Sequence, residues 1–80
     1  MSKLPILAGE DIIKILEKGF NFKFVSQKGS HVKLRKIIDN KSITTIVPKH
    51  KEVMTGTLKS VLELAKVAVE DFVNYYKNKF

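Results

Sequence analysis

His31 and His50 are the only histidines in the 80-residue chain. Both stand among cations. His31 follows Gly29-Ser30 and opens an alternating stretch in which it shares a face with Lys33 and Arg35. Val32 and Leu34 take the opposite face. An imidazole is suited to giving or taking a proton at neutral pH. Cleavage of RNA by its own 2′-hydroxyl needs a base at that hydroxyl, charge stabilisation at the phosphate and an acid at the leaving oxygen. One histidine with neighbouring lysines supplies much of that set. On the chemistry alone a plainer reading, an exposed polar strand residue, is the favoured one. His50 lies in Pro48-Lys49-His50-Lys51, and its lysines with helix-start amides around residues 55–57 make a phosphate site. A solvated loop is the competing reading there.

Other chemistries are excluded by residue type or spacing. The chain has no cysteine, which removes thiol nucleophiles, disulfides and thiolate zinc sites. Two histidines 19 positions apart, with no nearby carboxylate cluster, do not form a metal site. No cofactor is expected. No glycine-rich loop has phosphate-cradling spacing. Ser30 beside His31 is not a catalytic pair, because neighbours on a strand point to opposite faces.

The net charge of +7 is unevenly spread. Residues 1–19 and 52–80 are each neutral overall. Residues 20–51 hold Lys23, Lys28, Lys33, Arg35, Lys36, Lys41, Lys49 and Lys51 against Asp39 alone. A segregated basic block points to a polyanion, nucleic acid first. A Lys-rich solvated surface is the alternative. Eighty residues make one domain, 1–80, with a small core. No apolar run approaches the roughly 20 residues of a membrane span. Residues 1–8, broken by Pro5, are too short for a secretory signal. The expectation is a cytoplasmic protein that does not engage a membrane.

The periodicity supplies the elements that must hold these side chains. Ile12, Ile13, Leu16 and Phe20 space as a helix over about 9–18, with Glu10 and Asp11 in its first turn and Gly19 as its left-handed end. Phe20, Phe22 and Phe24 then alternate as a strand whose aromatic face belongs to the core rather than to stacked bases. Gln27-Lys28-Gly29-Ser30 turns, residues 31–38 alternate, 38–42 turn again, and 43–47 is a β-branched run ended by Pro48. Helical spacing returns at Leu58, Val61, Leu62 and Ala65, with Thr55 or Thr57 as cap. Val69, Phe72, Val73 and Tyr76 continue it as a third helix or as one bent helix. The fold class is α+β, in the order α-β-β-β-α(α): a three-stranded antiparallel meander with helices on one face.

These residues also carry a resemblance. Gln27-Lys28-Gly29-Ser30-His31-Val32 resembles the Gly-Ser-His signature of the HicA, or YcfA-like, family of mRNA interferase toxins. Ile13, Leu16, Lys18, Gly19 and Phe20 resemble that family's first helix and its Gly-Phe exit. Val47-Pro48-Lys49-His50 resembles its Val/Ile-Pro-x-His strand end. Gly56-Thr57-Leu58 with Val61-Leu62 resembles its second helix start, and Glu70-Asp71-Phe72 its closing Glu-Glu-Phe. Together they cover about residues 9–72. The tripeptide alone is weak, but the ordered anchors are specific.

The resemblance implies a fold like the double-stranded-RNA-binding domain and a toxin of a type II toxin–antitoxin system. That toxin is a metal-independent endoribonuclease that cleaves mRNA and is held inactive by a HicB-like antitoxin. It implies His31 as the catalytic residue, with Gly29 and Ser30 completing the motif and His50 at a recurring position. Lys28, Lys33, Arg35 and Lys49 are the expected phosphate contacts beside Gly29, Ser30 and His50, and the antitoxin is expected to cover His31. Two departures stand out. The stretch from Gly19-Phe20 to Gly29-Ser30-His31 is about two residues longer than usual, an even number that leaves strand alternation intact. Lys66 stands where the family often has glycine, so either a strained left-handed cap or a continuing helix follows. Tyr75, Tyr76 and Phe80 in the tail suggest an extra contact or a self-association surface. Two other readings remain: an RNA-binding module of the same fold without cleavage, and a purely structural domain whose function would be insensitive to salt.

Overall fold

In the computed structural model, which describes residues 3–80, the chain runs α1 (Gly9–Phe20), β1 (Lys23–Lys28), β2 (His31–Ile38), β3 (Lys41–Pro48), α2 (Thr55–Ala65) and α3 (Val69–Lys79). The first two positions of the segment read for a signal lie outside the described residues. The strands form one antiparallel sheet in the order β1-β2-β3. This is the layout of a double-stranded-RNA-binding domain.

One sheet face is buried under the helices and the other is left open. Val32 and Leu34 of β2, and Thr45 and Val47 of β3, turn inward with Phe22 to meet Ile12, Ile15 and Leu16 of α1. Leu58, Val61, Leu62, Ala65 and Phe72 close the same core from α2 and α3. Thr45 is the one buried polar residue of that core, and its hydroxyl donates to the Val61 carbonyl at 2.8 Å, tying α2 to β3. Burial thus alternates along β2, which fixes which side chains remain on the open face.

The turns explain the register. The β2–β3 hairpin closes through Asp39 and Asn40, both at positive φ (51° and 65°), the two-residue I′ geometry that these residue types tolerate. The β1–β2 hairpin closes through Gly29, at φ 59°, and Ser30. Positive φ at the first position alone is the II′ pattern and favours glycine there.

The first helix is longer than its apolar spacing predicts. It runs to Phe20, and Asn21 rather than Gly19 takes the left-handed position, at φ 63°. Gly19 is held by packing instead: a Cβ there would lie 2.8 Å from the Tyr75 ring. Phe20 consequently belongs to the helix end, where its ring meets Tyr75 at 6.0 Å. Phe22 is buried, and Phe24 is 55% exposed on the edge strand. The three phenylalanines therefore do not form one strand face. A bulge between Phe24 and Ser26 also shifts the β1 register by one residue, so alternation is not kept along β1. The face of His31 is set by β2 against β3.

The third helix is separate. Lys66 adopts the left-handed conformation at φ 59°, and its N–H and that of Val67 turn back to Glu63 and Leu62 carbonyls. Val67 is buried beneath this cap. Neither Thr55 nor Thr57 caps α2: Met54 holds the N-cap position without a side-chain bond. In the tail, Tyr75 packs on Phe20 and Tyr76 stacks on Phe80. Lys66→Gly is expected to stabilise the fold by about 1 kcal/mol, since glycine takes this positive φ without the steric cost that an exposed lysine carries. For a domain of this size that is a rise in Tm of roughly 4–8 °C. Thermal unfolding of the variant beside the parent chain checks it, and a lower Tm would mean that the Lys66 side chain contributes packing.

Candidate nucleic-acid interface

The site begins with a close approach of backbones at one end of the sheet. The Gly9 N–H, unpaired within α1 because it lies in the first turn, donates to the His50 carbonyl at 2.8 Å. A Cβ on Gly9 would fall on the Pro48 carbonyl oxygen and within 2.7 Å of the Lys49 Cα. Only glycine lets α1 start here. The Lys49 N–H donates to the Ser30 carbonyl at 2.6 Å, and the Val53 N–H donates to the Leu7 carbonyl at 2.7 Å. The loop from β3 to α2 is thus held by α1, by the β1–β2 turn and by the segment preceding α1. Gly9→Ala is expected to cost about 1–3 kcal/mol, as overpacking against backbone does. Chemical denaturation reads this directly, and a stability within 0.5 kcal/mol of the parent, roughly the scatter of a neutral surface change, would contradict the close approach.

On this frame Ser30 and His50 meet. The Ser30 hydroxyl and His50 Nε2 share a hydrogen bond of 3.1 Å between exposed side chains. His31, the chain neighbour of Ser30, pairs across the sheet with Lys28 on β1 and Pro48 on β3. Its side chain is exposed on the open face. Further along that face, Lys33 lies between Ser26 and Ile46, and Arg35 between Lys23 and Thr44. His31, Lys28, Lys33 and Arg35 therefore share one surface, and Gly29 and Ser30 form the turn at its end.

Lys49 and the start of α2 go elsewhere. Lys49 lines a concavity with Gln27, Phe24 and Val32 on the helix side, and its ammonium stands 3.9 Å from Glu10. Both partners are well exposed, so this pair contributes little to stability. The concavity at the start of α2 is lined by Lys3, Leu4, Ile6, Lys59 and Val69, without Lys49 or His50. The helix start that faces the Lys49-His50 loop is that of α1. A further concavity, between Lys23, Val25, Arg35, Lys36, Ile37 and Ile38, lies toward the opposite end of the hairpin and contains neither histidine.

Two features escaped the sequence reading. Lys23 joins the basic face opposite Arg35; the bulge at Val25 hid which way its neighbours point. Gly9 is the other: it is the first residue of α1, after the Ala8 N-cap, and the need for glycine there shows only once Pro48 and Lys49 are seen packed against it.

Among the described residues no three His, Asp or Glu side chains gather as metal ligands, and no helix is long and apolar enough to cross a membrane. The fold and the site define a small basic α-β-β-β-α protein with an open cationic sheet face. The chain belongs to the HicA toxin family of bacterial toxin–antitoxin systems, whose family model matches residues 9–67. That span runs from the glycine against Pro48 to the residue after the Lys66 cap, and leaves α3 outside. Among curated proteins and among solved structures no significant match is found. Membership makes the chain a toxin with an antitoxin as partner.

Proposed function

We propose that this toxin is a metal-independent endoribonuclease acting on mRNA in the cytoplasm, with His31 as its catalytic residue and a HicB-like protein as its antitoxin. The observation that carries the reading is the placement of His31 on an open face with Lys28 directly opposite and Lys33 and Arg35 along the same strand. A phosphodiester held by these cations brings its 2′-hydroxyl and leaving oxygen to an exposed imidazole. Gly29 supplies the turn that starts β2 at His31, and Lys49 and His50 extend the cationic surface around the sheet end. The family membership supports the same conclusion.

The test is direct. Purified chain incubated with labelled mRNA in the presence of EDTA is expected to cut it, and expression without antitoxin is expected to arrest growth and shorten mRNA. Binding without cleavage would favour the alternative, an RNA-binding module of this fold.

The cationic face makes a second expectation. RNA affinity falls steeply with salt in proportion to the phosphates neutralised. Replacing Lys33 and Arg35 together by alanine is expected to lower the slope of log K against log salt by up to about two. An unchanged slope, measured by fluorescence anisotropy over a salt series, would move RNA off the open face.

A further inference from the structure

The hydrogen bond between Ser30 and His50 is unexplained by stability. Both side chains are exposed, so water replaces either partner at little cost. Yet the loop carrying His50 is fixed by three backbone bonds, two to the chain around the start of α1 and one to the β1–β2 turn, and the position of α1 depends on the missing side chain of Gly9. That is a rigid support for one surface imidazole. It delivers the ring to the residue next to His31, on a turn whose geometry is set by Gly29 at φ 59°.

We infer that His50, oriented by the Ser30 hydroxyl, is the second proton-transfer group of the RNA cleavage proposed above, and that it works with His31. The inference rests on that proposal. Breaking a phosphodiester through the adjacent 2′-hydroxyl moves two protons. The 2′-hydroxyl gives its proton to one imidazole as the O2′–P bond forms. The P–O5′ bond breaks, and the other group, an imidazolium, gives its proton to O5′. The products are a 2′,3′-cyclic phosphate and a free 5′-hydroxyl, with no co-reactant needed. One histidine cannot hold and donate a proton at both oxygens of an in-line displacement in the same step. The bond to Ser30 engages Nε2 of His50. It leaves Nδ1 for the substrate and holds the ring in one orientation.

The experiment uses the full chain and two RNA substrates of one sequence. One is unmodified, and the other has sulfur in place of the bridging 5′-oxygen at the cleaved bond. A thiolate leaves without protonation, so the modified substrate no longer needs the acid. Single-turnover cleavage of the unmodified RNA is expected to fall about 10²–10⁴-fold in His50→Gln and in His31→Ala, the range of a lost acid or base. On the sulfur substrate, one of the two variants is expected to recover to near the parent rate while the other stays slow. Ser30→Ala keeps the imidazole and loses its orientation. It is expected to show a smaller loss that follows the behaviour of His50→Gln on both substrates. Circular dichroism melts show that the variants compared are folded.

A His50→Gln rate within threefold of the parent would overturn the inference, as would recovery of neither variant on the sulfur substrate. If the parent chain does not cleave RNA at all, the proposed activity itself fails, and that outcome is distinct from both.

Discussion

His31→Ala is expected to remove RNA cleavage, by at least the 10²–10⁴-fold attributed to a positioned acid or base, while leaving the fold and RNA binding intact. The side chain is exposed and is not among the core residues, so its truncation is expected to change stability by less than about 0.5 kcal/mol. The phosphate contacts expected of Lys28, Lys33 and Arg35 are untouched. The distinguishing result is therefore a variant that melts like the parent, binds RNA with the same salt dependence and does not cut. Expression of the variant without antitoxin is expected to permit growth. Full toxicity, or a large loss of stability, would remove His31 from the catalytic role.

The expectation depends on a face assignment, and the sequence carried that assignment well. Val32 and Leu34 alternate with His31, Lys33 and Arg35, and only one face of a sheet this small is covered, so polar residues at odd positions had to point outward. The strand order followed from two turns short enough to force neighbouring antiparallel strands. The separation of α3 was not decidable, because a lysine at positive φ is rare and its cost is offset here by the buried Val67 beyond it.

What failed, failed for local reasons. Phe20, Phe22 and Phe24 have the period of a strand, but a left-handed Asn21 falls within them and reverses the chain, so each ring enters a different environment. A bulge is equally invisible, since it adds one residue to an edge strand whose side chains are all exposed. The pairing of Ser30 with His50 joins positions 20 apart. It requires the strand order, the chain exit after Pro48 and the start of α1 to be known together. Strand alternation does not apply to Ser30, which lies in the turn before β2, and it says nothing of a residue arriving from a third segment.

The antitoxin is expected to act by occupying the open face. A basic surface without acidic residues among Lys23, Lys28, Lys33 and Arg35 favours a partner that presents carboxylates. Such complementarity speeds association and places the partner over His31. The expected interface covers His31 and several of Lys28, Lys33 and Arg35; Lys49, expected from the sequence to join them, stands on the helix side beside Glu10. His31→Ala is expected to keep the antitoxin, because one side chain of this kind rarely carries an interface. Lys33→Glu with Arg35→Glu is expected to weaken it, through like charges brought together, by 10-fold or more, about 1.4 kcal/mol. The measurement is a competition: antitoxin is titrated into a complex of labelled RNA with the inactive His31→Ala chain. Release of RNA in step with antitoxin binding is the expected result. A ternary complex of toxin, RNA and antitoxin would show that the partner sits elsewhere, and inhibition would then have to pass through the rigid loop of Lys49 and His50 rather than through occlusion of the face.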